Sequence, residues 1–306
     1  MADLILICEG NEGSLDARVL NIMLVQKFNK SIQIIPAYGD ANLNKVAEYH
    51  REKSRIKKSN GIWSEPLSHV FVIQDRNFCA REEVEESWAP HSWHFIWRRH
   101  EIENYLLDIR VVTRAFLNLQ QSVSMKWHQE LPTNSKQVGD LLQNLARPMI
   151  NNFVGWQCYW TLFAFKKDLV DTGFRRPEKN SLPKKLEVDH PDRQSWLDYL
   201  HSECKRLKLD CNKLIELKEF DVPYIDQLFD RKLELVRSSE FWSSGKYIEE
   251  MGGHELVKAL VKFLNLSKFP ISLTDLEDEF IKALNQIYAP GFFTPDDFQI
   301  LADRMI

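Results

Sequence analysis

Val70-Phe71-Val72-Ile73-Gln74-Asp75-Arg76-Asn77 is the stretch whose reading decides the fold. Its four consecutive apolar residues, β-branched or aromatic, predict a strand buried on both faces. The run stops at Asp75-Arg76-Asn77, so two oxygen-bearing side chains stand two residues apart at the carboxyl end of that strand. Open α/β sheets place their ligands at this end. In an extended chain residues i and i+2 point to the same side, so Asp75 and Asn77 can share one cation. The same residues also fit a plain strand end followed by an Asx-type turn.

Working outward, Leu4-Ile5-Leu6-Ile7-Cys8 is a second buried-strand run and ends at Glu9-Gly10. Ser14 is a candidate helix N-cap, after which Leu15, Val19, Ile22 and Met23 recur at helical spacing. Ile32, Ile34 and Ile35 mark another strand, closed by Tyr38-Gly39-Asp40. Leu43, Val46, Ala47 and His50 predict a helix whose end is basic, with Arg51, Lys53, Arg55, Lys57 and Lys58. A loop over Ser59 to Ser68 precedes the strand at Val70. Trp93 to Trp97 is a fourth strand-like run, followed by Arg98-Arg99-His100. The order β-α-β-α-β-β, with near-continuous apolar strands, predicts a mostly parallel sheet covered on both faces.

In such a sheet Glu9 and Asp75 end parallel strands on the same edge. Glu101-Ile102-Glu103-Asn104-Tyr105-Leu106-Leu107 follows the fourth strand. Acidic strand ends converging on one edge make an oxygen-rich arrangement suited to Mg²⁺ or Mn²⁺. Without a cation, carboxylates so placed raise each other's pKa. These acids also fit helix capping, with Glu101 and Glu103 at a helix N-terminus.

The whole chain sets bounds on function. Its 306 residues suffice for two domains or one large one. A formal net charge of −4 excludes a global positive field, so nucleic-acid binding must rest on local basic patches, and the stretch Arg51 to Lys58 and the pair Arg98-Arg99 are the groups expected to meet phosphate. No apolar run approaches the length of a membrane span. The opening Met-Ala-Asp is too short and too acidic for a secretory signal. Five cysteines with no Cys-x-x-Cys pair read as reduced, mostly buried thiols of a cytoplasmic protein, not as a zinc site. His91, His94 and His100 lie near the fourth strand without a His-Glu-x-x-His pattern and read as core or surface histidines. No Gly-x-Ser-x-Gly elbow and no dinucleotide-binding Gly-x-Gly-x-x-Gly occurs.

After Asp108 the pattern turns helical. Val111 to Leu119 predicts a short helix, and Val138 to Asp168 a long one broken at Pro148. Its aromatic residues read as core. Phe174 to Pro191 reads as a loop, and Asp192 to Leu207 as an amphipathic helix. Pro223 to Val236 and Glu255 to Leu264 are further helices. Leu273 to Ile287 follows with Thr274 as N-cap, and the tail from Thr294 is capped by Thr294 itself. Phe241-Trp242-Ser243-Ser244-Gly245-Lys246 is not a Walker A loop, since the upstream glycine and the following Ser or Thr are missing.

Glu9-Gly10, then Asp75-x-Asn77, then Glu101-Ile102-Glu103-Asn104-Tyr105-Leu106 resembles the Toprim domain in its OLD-like nuclease branch. Within that branch it resembles the AriB-type effectors of bacterial PARIS anti-phage systems, which work beside an ABC-type ATPase. The resemblance covers about residues 1–110 and implies an α/β fold, a Toprim-like mostly parallel sheet with flanking helices, followed by an α-helical domain over 111–306. It implies Glu9, Asp16, Asp75, Asn77 and Glu103 as ligands of Mg²⁺ or Mn²⁺, and Glu9 and Asp75 as catalytic. Gly245-Lys246 looks like the family's Gly-Lys element ahead of a helix, which makes Lys246 the third catalytic residue. Two positions depart from the family pattern. Asn77 stands where the family has a second Asp, and Gly13 where it often has an acid, for which Asp16 is the substitute and Glu12 a weaker candidate.

The resemblance implies a metal-dependent nuclease, the toxic effector of an anti-phage defence system, with tRNA as one expected target. Nothing in the residues themselves separates RNA from DNA. An ABC-type ATPase is the expected partner, a homodimer is admitted, and no membrane is involved. The competing expectation is a degenerate Toprim scaffold that has lost metal and serves as a partner-binding subunit, as Asn77 and Gly13 favour.

Overall fold

The structure is a computed structural model, and it describes residues 4–26, 31–55, 61–64, 69–76, 79, 81–122, 130–163, 191–210, 221–288 and 296–305. Asn77, Lys57, Lys58, Asp168, Cys211, Thr294 and nearly all of the expected loop from Phe174 to Pro191 lie outside the described residues. The chain forms two compact units, residues 1–141 with 248–306 and residues 142–247. The boundary expected near residue 110 does not coincide with either limit.

The first unit is built on four strands, β1 (Leu4–Cys8), β2 (Ile32–Pro36), β3 (His69–Gln74) and β4 (His94–Ile96). They pair in the order β2-β1-β3-β4, every pair parallel. Register sets Ile5 beside Val70 and Ile7 beside Val72. These four residues make one apolar face with Ala37, covered by Leu43 and Ala47 of α2 (Leu43–Lys53). The opposite face carries Leu6, Cys8, Ile73 and Phe95, all buried. Burial on both faces is why the strands read as continuous apolar runs rather than alternating ones.

Ser14 caps α1 (Leu15–Leu20) as its spacing predicts, and the helix continues as a π-helical segment, Asn21–Gln26, that packs against β2. Between β3 and β4 the expected β-β connection is a β-α-β crossover, because α3 (Arg81–Ser87) intervenes. In Arg-Glu-Glu-Val-Glu-Glu-Ser only Val84 is apolar and buried, so no helical periodicity signals it. Trp88 just beyond α3 packs on Phe95 at 5.1 Å and donates its indole N–H to the Ile96 carbonyl at 2.7 Å.

The chain then turns into α4 (Glu103–Leu106) and α5 (Ile109–Ser122). The stretch from residue 135 carries α6 (Ser135–Ala146), a 3-10 turn at Arg147–Met149 and α7 (Ile150–Phe163), which is the break expected at Pro148. The second unit contains α7 together with α8 (Arg193–Asp210), α9 (Val222–Arg237) and α10 (Ser239–Ser243). Phe153, Tyr159, Trp196, Tyr199 and Phe229 are buried there, while Trp156 and Trp160, also expected in the core, are half-buried. The unit boundary falls within α11 (Lys246–Glu250).

The first unit is completed by α12 (Gly253–Leu266), α13 (Leu273–Ile287) and α14 (Asp296–Arg304). Val111, Val112, Ala115 and Phe116 of α5 face the packed helix α13, whose Leu276, Phe280, Ala283 and Leu284 are buried. The cap of α13 is Ser272 rather than Thr274. Ser272 forms a reciprocal capping box with Asp275, which satisfies two orphan donors where Thr274, inside the helix, satisfies none. Helix α14 docks through Asp297, which accepts from the Tyr105 hydroxyl and from Arg98 at 3.0 Å. Among the described residues no helix is long and apolar enough to cross a membrane.

Candidate metal centre

In the order β2-β1-β3-β4 the connections from β1 and β3 leave in opposite directions, so the gap between their carboxyl ends is the topological switch point of the sheet. Glu9 follows β1 and Asp75 lies just past β3. The Glu9 carboxylate reaches across and accepts the backbone N–H of Asp75 at 3.2 Å. Gly10, at φ +90°, turns the chain immediately after Glu9, and a Cβ there would meet Ser14 Oγ at 2.5 Å and come within 3.7 Å of Asp16 Oδ2. A glycine is therefore what lets the start of α1 fold back over the strand end.

Asp16, Glu101 and Glu103 share this electrostatic environment. Burial pushes the Asp75 carboxyl well above its ordinary range, and Asp16, Glu9, Glu103 and Glu101 push it further. Asp16 is raised to about 7, first by burial and then by Glu103 and Glu9. Beneath them the Cys8 thiol is raised to about 12, by burial and then by Asp16. The acids thus raise one another at the switch point.

Glu101 behaves differently. Burial raises it, but His100, whose Nδ1 lies 3.6 Å from Oε1, and the His254 N–H outweigh that, and the net shift is downward. Its Oε2 accepts the His254 backbone N–H at 2.9 Å, so it caps the first turn of α12. Helix capping, one of the two readings of this acid, holds for Glu101, although the helix is the distant α12. Glu103 opens α4, and its Oε1 lies 3.4 Å from His254 Nδ1.

The turn carrying Glu103 is held from behind. Asn104 is fully buried; its amide donates to the carbonyls of Ile248 and Met251, and its Oδ1 accepts the Glu101 N–H at 2.8 Å. Arg76, next to Asp75, pairs with Glu250 at 3.3 Å and donates to the Arg98 carbonyl at 3.0 Å. Neither Arg76, present in the opening motif only as the residue between Asp75 and Asn77, nor the Gly252-Gly253-His254 segment is among the expected site residues. Two adjacent glycines ahead of an amphipathic helix were the available signal of close backbone approach.

The basic groups expected to meet phosphate have other partners. Arg98 pairs with Asp297 at 3.0 Å and Glu85 at 3.4 Å. Arg99 donates to the Asn104 carbonyl at 2.8 Å and lies over the Tyr105 ring. Arg51 donates to the Val70 carbonyl at 3.0 Å and stacks 3.8 Å above Trp93, while Arg55 pairs with Glu52 at 3.1 Å. Lys246 belongs to the second unit, where it starts α11 after Gly245 and faces Glu240 at 3.4 Å.

The donor set offers carboxylate oxygens, the chemistry that hard divalent cations take. The side chains are carboxylates, two of them strongly disfavoured as bare anions, at the ligand-binding end of a parallel sheet. Among the described residues, no three His, Cys, Asp or Glu side chains are gathered closely enough to enclose an ion. Asn77, the remaining expected ligand, lies outside the described residues. No family model matches the chain, and no curated protein matches it.

Proposed function

We propose that this chain is a metal-dependent phosphodiesterase acting on nucleic acid, on a Toprim-like scaffold of the OLD-like branch. The observation that carries the reading is the Glu9 carboxylate bridging to the Asp75 N–H at the switch point of an all-parallel sheet. Glu9, Asp16, Asp75 and Glu103 would hold Mg²⁺ or Mn²⁺, with Asn77 as the fifth ligand. A divalent cation supplies an activated water and neutralises charge growing on the phosphate. The chain's own residues do the rest. Glu9 ties the ends of β1 and β3 together and presents a carboxylate as general base or acid. Burial and mutual repulsion favour the protonated forms of Asp16 and Asp75, and a cation bound there would displace those protons. Lys246 is the proposed phosphate-side cation. The effector role in anti-phage defence, the ABC-type ATPase partner and tRNA as substrate are proposed on the resemblance alone.

The test pairs calorimetry with cleavage. Parent protein should bind Mn²⁺ and cut a mixture of tRNA and DNA in the presence of its ATPase partner, and Asp75→Ala should lose both. Metal binding that survives Asp75→Ala would remove the site from this edge. A second reading, a scaffold subunit without catalysis, is favoured by Asn77 and Gly13 at the two family acid positions. It becomes the better one if the parent takes up no Mn²⁺ and cuts nothing.

A further inference from the structure

We propose that Tyr38, Lys45, Tyr49 and Lys53 form a track for single-stranded nucleic acid that ends beside Glu9-Gly10. The proposal rests on the nucleic-acid reading above and names the form of the substrate and the surface that takes it. Among the described residues the exposed aromatics are Tyr38, Tyr49, Trp63 and Trp93, all in the first unit. Trp93 already carries Arg51 at 3.8 Å. Lys45, Tyr49 and Lys53 stand four residues apart on α2 and so make one stripe along that helix. All three are exposed. The Lys53 ammonium lies 5.6 Å from the centre of the Tyr49 ring, and His50 meets that ring edge-on at 5.2 Å. Glu48 and Glu52 occupy the adjacent stripe, and Glu52 is paired with Arg55 at 3.1 Å.

Tyr38 stands at the other end of α2, just past the carboxyl end of β2. Its backbone adopts φ +59°, a left-handed conformation that is unfavourable for any residue but glycine. The turn is held from both sides. The Tyr38 N–H donates to the Gly10 carbonyl at 2.7 Å, and the Tyr38 carbonyl accepts from the Asn42 amide at 3.3 Å. The side chain gains no burial in return, since Tyr38 is 63% exposed. Packing therefore does not account for an aromatic ring at this position, and a base stacked on it does. Unpaired bases stack on tyrosine rings, and lysines between the rings meet the phosphates. A duplex hides its base faces from such rings, and an apolar protein partner gains nothing from the lysines.

The experiment is fluorescence anisotropy of labelled oligo-dT and oligo-U on the full chain in chelator, with thermal melts. Chelator separates binding from metal uptake and cleavage. Tyr49→Ala should weaken binding roughly 5- to 150-fold, the worth of one stacked base, and Tyr49→Phe should restore it. Tyr38→Gly suits the left-handed turn and should melt close to the parent, yet weaken binding by a similar factor. Lys45→Ala together with Lys53→Ala should flatten the slope of log affinity against log salt by about 1.4, at about 0.7 for each phosphate contact to a single strand. Parental affinity in Tyr49→Ala or in Tyr38→Gly would overturn the track and leave the nuclease reading to the Mn²⁺ and cleavage assays. A parent that binds oligo-dT annealed to oligo-dA as tightly as oligo-dT alone, or binds neither, would overturn it as well. Tyrosine-dependent binding by a chain that cuts nothing would support the track while the nuclease reading fails.

Discussion

Glu9 and Asp75, sixty-six residues apart, are joined by a 3.2 Å hydrogen bond from the Asp75 backbone N–H to Glu9 Oε1. The bond spans the ends of two adjacent parallel strands, so it fixes where a ligand at that edge would sit. It also separates two roles of Glu9. Glu9→Gln retains an oxygen that can accept the N–H but loses the negative charge. We expect it to melt within a few degrees of the parent and to weaken Mn²⁺ binding at least tenfold. Calorimetry and a thermal melt on the same sample decide it, and undiminished Mn²⁺ affinity would show that Glu9 is a strand tie only.

Asp16 gives the site a pH dependence. Its carboxyl is raised from 3.8 to about 7, first by burial and then by Glu103 and Glu9. A folded-state pKa above the unfolded one favours the protonated form. The associated stability is full below about pH 4 and is lost as pH rises through about 7. In chelator, Asp16→Asn should therefore match the parent near pH 4 and exceed it at pH 8, by about 1–3 kcal/mol. Urea unfolding at both pH values measures the difference. A gap of the same size at pH 4 and pH 8 would mean that the buried charge is not its source.

The buried side of the motif predicts a stability effect. Asn104 is fully enclosed and satisfies two carbonyls and one N–H. Asn104→Ala leaves those groups unmatched, and the cost should be about 3 kcal/mol. Chemical denaturation of the variant tests this. A loss below about 0.5 kcal/mol would contradict the proposed clamp between residues 101–104 and 248–254.

Much of the first unit was legible because its strands are buried on both faces. Leu4–Cys8 and the core of β3, Val70 to Ile73, are uninterrupted apolar runs, Ile32, Ile34 and Ile35 break theirs only at Gln33, and a parallel sheet then puts Glu9 and Asp75 on one edge. Ser14 was legible as a cap because a short hydroxyl precedes a helical repeat. What escaped reading depends on distant packing or lacks an apolar signal. Helix α3 buries little but Val84, and its four glutamates mask the period. Arg98 and Arg99 read as available cations because Asp297 and the Asn104 carbonyl become their neighbours only in the fold. His254 meets Glu103 across 151 positions of sequence, a separation no local spacing rule reaches.

Lys246 carries the last prediction. The helix α11 that it opens follows Gly245 at φ +80°. Its ammonium faces Glu240 at 3.4 Å, with the lysine side chain 52% exposed and the glutamate 79%. A pair so exposed contributes little to stability, roughly 0–1 kcal/mol, so removing it should leave the second unit folded. It also leaves the lysine easily drawn away by a stronger anion, and a phosphate is one. If Lys246 shares charge with the phosphate in the transition state, Lys246→Ala should keep Mn²⁺ affinity and fold, and lower cleavage by about 10² to 10³. Glu240→Gln removes the competing carboxylate and should leave cleavage at the parental rate or above it. Both variants are to be assayed on the same tRNA and DNA mixture, with the proposed ATPase partner present. A Lys246→Ala protein that cleaves as fast as the parent would exclude Lys246 from the chemistry. A Glu240→Gln protein as slow as Lys246→Ala would show that the ion pair, not the free ammonium, is what activity requires.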